Sequence, residues 1–193
     1  ETAWSLSGQH TGRTDIPLTE KGEQDARELA LRLRGVNFSH VFTSPLQRAR
    51  RTSELAALNR AAEIEPDLAE WDYGDYEGLL SGDIRKARPG WNVFRDGCPG
   101  GDTPARISRR ADRLNSRFRT LEGNIALFSH GHFGRVLAAR WIGLRVEQAQ
   151  HFLLGTASLS ILGYGHDRAE EPAIIMWNTA TNETTIGHAT LGP

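Results

Sequence analysis

The sequence predicts an α/β domain built around a largely parallel sheet. Short apolar segments at residues 40–43 and 124–129 have the composition of buried strands, and amphipathic helical stretches alternate with them along the chain. This alternation is typical of parallel sheets, because a crossover between two parallel strands usually contains a helix. With 193 residues, the chain is long enough for one domain with a sizeable core. We therefore expect one domain over residues 1–193, with a loose tail at about 184–193.

The first predicted helix follows Thr19, and its apolar residues recur at helical spacing until Gly35 offers a stop. The strand at residues 40–43 comes next. Ser44 and Pro45 then form a pair that is typical of an N-cap and of the first helical position. A second helix is therefore expected to begin at Ser44.

The middle of the chain is predicted to be irregular. After a short strand near Ile64, residues 66–101 are rich in Gly, Asp, Trp and Tyr. A loop of this length inside a compact domain is usually functional. Thr103 and Pro104 then open another amphipathic helix.

The last third of the chain predicts a further strand–helix unit and a hairpin. The strand at residues 124–129 precedes a helix at about 133–142. Two later strands, near 159–162 and 173–177, are expected to pair with each other.

Composition limits the classes of partner. The net charge is −1, so nothing in the overall balance favours a nucleic acid or an anionic membrane as a partner. No apolar run is long enough to cross a bilayer, and the first residues do not resemble a signal peptide. Cys98 is the single cysteine, so no internal disulfide can form and a cytoplasmic location fits.

Two polar clusters, at residues 43–48 and 129–132, follow predicted strands. In parallel sheets, ligands bind beyond the carboxyl ends of the strands. Arg48 lies in the first cluster, where a guanidinium near a helix N-terminus can bind two phosphate oxygens. The alternative is a solvated surface arginine, since Arg50 and Arg51 follow it.

His130 lies in the second cluster and is followed by Gly131, which lets the backbone approach a ligand closely. A phosphate-binding or acid–base histidine fits this position. The alternatives are a structural histidine, or a metal pair with His132. A metal is disfavoured because no cysteine and no clear third ligand accompany the pair.

Glu70 lies among large aromatic residues, which can partly desolvate a carboxyl group, raise its pKa and suit it to act as a general acid. The alternative is an exposed loop glutamate. Near the start of the chain, residues 7–12 form a glycine-bearing loop whose amides could hold an anion.

Taken in order, these segments resemble the motifs of the histidine phosphatase superfamily, which is phosphoglycerate mutase-like. The N-terminal signature of that family is a strand ending in Arg-His-Gly-Glu, and Glu1 resembles its last residue. The other segments that carry the resemblance are residues 8–12, 15–19, 44–49, 70–78, 100–103 and 129–131. Asp102 stands where the family usually has glutamate. Residues 70–78 and 91–98 are most similar to the branch of sedoheptulose bisphosphatases and bacterial sugar phosphatases.

The resemblance implies a three-layer α/β/α sandwich with a mostly parallel central sheet. It also implies a reaction in which a histidine attacks phosphorus and becomes a phosphohistidine. Arg48 and His130 would bind the phosphoryl oxygens, while Glu70 would protonate the leaving oxygen and then activate water. No metal or organic cofactor is implied. The residues expected to touch phosphate or substrate are Ser5, Thr11, Gly12, Arg48, His130, Gly131 and Arg95.

The nucleophilic histidine is expected immediately upstream of Glu1. Removing a central parallel strand would leave ladder groups unpaired on both neighbours and open the core. We therefore expect a strand and an Arg-His-Gly segment to precede Glu1 in the real molecule.

The expected substrate is a small phosphorylated metabolite, with a sugar phosphate as the leading candidate. Arg95 could bind a distal phosphate or carboxylate, and Trp71, Tyr76 or Trp91 could stack on substrate or simply pack the loop onto the body of the domain. A phosphoglycerate mutase is one alternative, although the short segment between Glu70 and Thr103 favours hydrolysis. A catalytically inactive phosphate-binding protein is another alternative. A homo-oligomer is possible, and the sequence does not decide the oligomeric state.

Overall fold

The computed structural model describes residues 1–180, apart from the side chain of Asp167. The predicted tail at 184–193 lies outside the described residues. Of the helices in the described part, none is long and apolar enough to cross a membrane.

A parallel sheet forms the centre of the domain. It contains β1 (Phe38–Thr43), β2 (Glu63–Ile64) and β3 (Asn124–Phe128) in the order β2-β1-β3. The backbone amide of Ser44 donates to the carbonyl of Phe128, the last residue of β3, at 2.9 Å, so the ladder continues one residue past the end of β1. The carboxyl ends of β1 and β3 therefore lie side by side.

A second sheet consists of β4 (Leu159–Tyr164) and β5 (Pro172–Thr179), which pair antiparallel. This pair is the predicted hairpin. Each strand extends a few residues beyond its predicted bounds.

Seven α-helices occur in the described residues: α1 (Ala3–Ser7), α2 (Glu20–Arg32), α3 (Gln47–Leu55), α4 (Ser81–Ala87), α5 (Val93–Asp96), α6 (Pro104–Phe118) and α7 (Gly131–Trp141). Four short 3-10 segments also occur in this range: Pro66–Leu68, Gly74–Tyr76, Val146–His151 and Gly165–Asp167.

Helices cover both faces of the parallel sheet, and β3 shows how the sequence produces this arrangement. Successive side chains of a strand point to opposite faces. Ala126 and Phe128 join one apolar core with residues of α2 and of β1. Ile125 and Leu127 pack against the other core, which α6 and α7 build with the aromatic residues of the middle segment. The predicted three-layer α/β/α sandwich is confirmed.

Two local predictions are wrong. Ser44 is not an N-cap, because α3 begins at Gln47 and its N-cap residue is Leu46. The amide of Ser44 remains in the sheet ladder, so the residue stays extended instead of starting the helix. The segment at 66–101 is less irregular than predicted, since it contains α4, α5 and two 3-10 turns.

Candidate active site

Glu70 follows the 3-10 turn Pro66–Leu68 and is only 9% exposed. Its Oε1 accepts hydrogen bonds from the amides of Trp71 and Phe133, each at 2.8 Å, and its Oε2 accepts one from the amide of His132 at 3.1 Å. The carboxyl group therefore sits on the N-terminus of α7, where helical amides have no partner within the helix. The reading of Glu70 as an exposed loop residue is wrong.

His130 lies between β3 and α7 and is the N-cap residue of that helix. Its Nε2 is 2.7 Å from the Oγ of Ser44, at the tip of the neighbouring strand. Burial lowers the pKa of His130 to about 3, although the charge of Glu70 opposes this shift. The imidazole is therefore neutral near pH 7 in the free protein, and an approaching anion would favour its charged form.

Arg48 lies in the first turn of α3 and is 8% exposed. Its Nη1 donates to the carbonyl of Thr14 at 3.0 Å, and its Nη2 donates to the carbonyls of Thr11 and Gly12 at 3.1 and 3.0 Å. Burial lowers the pKa of the guanidinium, and the charge of Glu70 opposes this shift. The alternative of a solvated surface arginine is therefore wrong.

The loop at residues 11–14 is held from both sides. Arg48 binds its carbonyls, while the Oε1 of Glu77 accepts the amides of Gly12 and Thr14 at 2.8 and 3.0 Å. A Cβ at Gly12 would lie 2.4 Å from the carbonyl oxygen of Trp71 and 2.7 Å from the Oε2 of Glu77. Only glycine allows such a close approach.

Arg48, Glu70 and His130 converge at one end of the sheet. The charge of Glu70 acts on the pKa values of both Arg48 and His130, and the charge of Arg48 acts on that of His130. Ser44 links the two strand tips through its hydrogen bond to His130. A cation, a neutral imidazole and a carboxyl group are thus assembled from three distant parts of the chain. Such a group can bind a tetrahedral anion and supply a proton next to it.

Some predicted site residues have other contacts. Ser5 is exposed and forms a capping box with Thr2 at the start of α1. Arg95 is exposed, and its guanidinium binds Asp96 and the carbonyl of Gly90, so the structure does not join it to this cluster. Trp71 and Trp91 are 0% and 3% exposed, which supports the packing alternative for both.

Sequence reasoning missed three contributors to the site. One is the hydroxyl of Ser44. Another is the hydrogen bond between the Tyr73 hydroxyl and the Nδ1 of His132, two side chains that occur within motifs already singled out. Burial lowers the pKa of His132 to about 3 and raises that of Tyr73, so both groups are neutral near pH 7. The third is Arg110, which no motif had indicated. Among the described residues, no group of three His, Cys, Asp or Glu side chains is arranged to hold a metal ion.

Comparisons with known proteins identify the family of this chain. The family model described as the histidine phosphatase superfamily (branch 1) matches residues 1–179. An acid phosphatase from Mycobacterium tuberculosis is 41% identical over 171 residues, covering 86% of this chain and 83% of that protein. A sedoheptulose 1,7-bisphosphatase from Saccharomyces cerevisiae is 34% identical over an alignment of 239 positions, gaps included, that covers 90% of this chain and 88% of that protein.

A solved structure gives the same result. The structure of an open reading frame product from Mycobacterium tuberculosis superposes with a TM-score of 0.88 at 34% identity, and 94% of each chain is covered. The resemblance stated from the motifs is therefore confirmed, and the chain belongs to the histidine phosphatase superfamily.

Proposed function

We propose that this phosphatase hydrolyses small phosphorylated metabolites through a phosphohistidine intermediate. The observation that carries the proposal is the convergence of Arg48, Glu70 and His130 at the carboxyl ends of β1 and β3. A buried cation beside a carboxyl group is costly in a protein that only packs its core, because burying charged groups costs free energy. It does have a use where a dianionic phosphoryl group must be bound and cleaved.

In the first step, the nitrogen of a nucleophilic histidine attacks phosphorus, and the bond from phosphorus to the leaving oxygen breaks. Glu70 gives its proton to that oxygen, so the product leaves as an alcohol. Oε1 already accepts two amide hydrogen bonds and Oε2 accepts one. Each carboxyl oxygen has two lone pairs, so both lone pairs of Oε1 are engaged and one lone pair of Oε2 is left. Oε2 is therefore the atom proposed to carry the proton.

In the second step, water attacks the phosphorus of the phosphohistidine. The carboxylate of Glu70 takes a proton from this water, the nitrogen–phosphorus bond breaks, and inorganic phosphate leaves. Arg48 and His130 hold the phosphoryl oxygens in both steps. Arg48 has five N–H groups, and its hydrogen bonds to the loop at 11–14 leave at least two of them for phosphate.

The nucleophilic histidine is proposed to lie in an Arg-His-Gly segment that precedes Glu1. In the described residues, β3 pairs with β1 along one edge, and β4 pairs only with β5. A further parallel strand is proposed to pair with the other edge of β3, so that its carboxyl end lies beside those of β1 and β3. Protein incubated with labelled substrate and quenched in alkaline detergent should carry a phosphate that is stable in base and released at low pH. Protein that turns over substrate without ever carrying this label would overturn the covalent mechanism.

A sugar phosphate is the proposed substrate class. Support comes from the relative named sedoheptulose 1,7-bisphosphatase and from residues 70–78 and 91–98 of this chain. Phosphate release should be measured over a panel of sugar phosphates, phosphoglycolate, phosphoglycerates and para-nitrophenyl phosphate. We expect at least one sugar phosphate to exceed the compounds of the panel that are not sugar phosphates in kcat/KM. Equal weak activity on the whole panel would refute sugar specificity.

The single cysteine supports the cytoplasm as the proposed compartment.

A further inference from the structure

We propose that Arg110 is a positioning residue that holds Glu70 in the geometry needed for proton transfer. Arg110 lies near the middle of α6. This inference rests on the proposed role of Glu70 as the proton donor.

The first support is the contact of Arg110 with the backbone that carries Glu70. Its Nη2 donates to the carbonyls of Ala69 and Glu70, at 3.0 and 3.1 Å. Two adjacent carbonyls on one nitrogen fix the orientation of consecutive peptide planes. The direction in which the Glu70 side chain leaves the backbone is thereby set.

The second support is the contact of Arg110 with the helix that receives the carboxyl group. The guanidinium carbon of Arg110 lies 4.3 Å from the centroid of the Phe133 ring. The amide of that same Phe133 donates to the Oε1 of Glu70 at 2.8 Å. Arg110 therefore contacts both the segment that supplies the carboxyl group and the helix end on which the carboxyl group rests.

The third support is that stability alone gives a poor account of Arg110. The nearest carboxylate oxygen, Oδ2 of Asp102, is 3.9 Å from its Nη1, and its buried Nε has no hydrogen-bond partner among the described residues. An unpaired buried donor and a desolvated cation both cost free energy. Arg113, one turn further along α6, shows the opposite arrangement, with a fork-shaped ion pair to Asp67 at the surface.

The consequence is a specific kinetic signature. Arg110→Gln should lower kcat much more for an ester with a poor leaving group, such as glycerol phosphate, than for para-nitrophenyl phosphate, whose leaving group needs little protonation. We expect a difference of about tenfold or more between the two losses, because general acid catalysis contributes on the order of 10²–10⁴ in rate. KM should change little, since Arg48 and His130 keep their own contacts.

The experiment compares four variants with the wild-type full-length protein on both esters. Arg110→Gln tests the proposal, Glu70→Gln reports the signature of losing the proton donor, and Arg113→Gln is the matched control from the same helix. Arg110→Lys keeps the positive charge but not the planar guanidinium. It replaces Arg110→Gln if circular dichroism shows that Arg110→Gln does not fold. On glycerol phosphate, the ester with the poor leaving group, we expect Arg110→Lys to have a kcat between those of Arg110→Gln and the wild type.

The outcomes separate the two proposals. If Glu70→Gln loses the same factor on both esters, the role of Glu70 as proton donor fails and the inference on Arg110 fails with it. Suppose instead that Glu70→Gln shows the leaving-group dependence. The inference on Arg110 alone is then overturned if the Arg110 variant loses the same factor in kcat on both esters, or if its loss in kcat is no larger than that of Arg113→Gln.

Discussion

At the scale of single residues, Glu70 combines two roles, because the carboxyl group that is proposed to move a proton also satisfies amides at the start of α7. Glu70→Gln keeps the size of the side chain and a carbonyl oxygen for these amides but removes the transferable proton. We expect kcat to fall by about 10²–10⁴-fold on poor leaving groups, with a smaller loss on para-nitrophenyl phosphate. A thermal melt checks that the fold persists, and near wild-type turnover of glycerol phosphate would contradict the assignment.

Arg48 gives a different residue-scale prediction. Its charge is proposed to stabilise the phosphoryl oxygens, which carry charge in the transition state whatever the leaving group. Arg48→Ala should therefore lose at least about 10²-fold in kcat/KM on activated and unactivated esters alike. Arg50→Ala, on the same helix and outside the cluster, is the control. A loss confined to poor leaving groups would show that Arg48 acts on proton transfer instead.

At the scale of elements, the loop at 11–14 depends on close packing at Gly12. Gly12→Ala would press a methyl group into the Trp71 carbonyl and the Glu77 carboxylate, so the loop must shift and the free energy of unfolding should fall by about 1–3 kcal/mol. Gly82→Ala in α4 is the matched control, since no described atom beyond its chain neighbours and the backbone of its own helix lies within 4 Å of the new Cβ. Because alanine suits a helix better than glycine, Gly82→Ala should leave stability unchanged or raise it slightly. Urea denaturation of both variants is the measurement, and equal stabilities would contradict the packing argument.

The elements also show how far sequence reasoning reaches. The convergence of Arg48 and His130 could be predicted, because both residues follow apolar strands and the carboxyl ends of parallel strands share one edge. The roles of Ser44 and Arg110 could not be predicted. Ser44 followed by Pro45 is a strong local signal for a helix start, but the ladder bond to Phe128 overrides it. Arg110 becomes informative only once the backbone of residues 69–70 is placed beside α6.

At the scale of the whole molecule, buried histidines predict a loss of stability in acid. Burial lowers the pKa values of His130 and His132 from 6.5 to about 3, so between these values the unfolded chain binds protons that the folded protein does not. Stability should be complete above about pH 6.5 and should fall as the pH decreases, by up to about 1.4 kcal/mol per pH unit for each histidine. His132→Gln should flatten this dependence between pH 4 and about pH 6.

Guanidinium chloride titrations at several pH values test this prediction. The matched control is His151→Gln, because His151 is exposed at the end of a 3-10 segment. An unchanged slope in His132→Gln, equal to that of the His151 control, would show that His132 is not the group responsible.

The three carbonyl contacts of Arg48 have a consequence for ligand affinity. A free arginine side chain has about 2 kcal/mol of rotamer entropy to lose when it is fixed. In this molecule the carbonyls of Thr11, Gly12 and Thr14 fix the guanidinium before any ligand arrives. The ordering is thus completed during folding, and the tetrahedral anion proposed as ligand would meet a rigid donor whose remaining N–H groups already point in fixed directions.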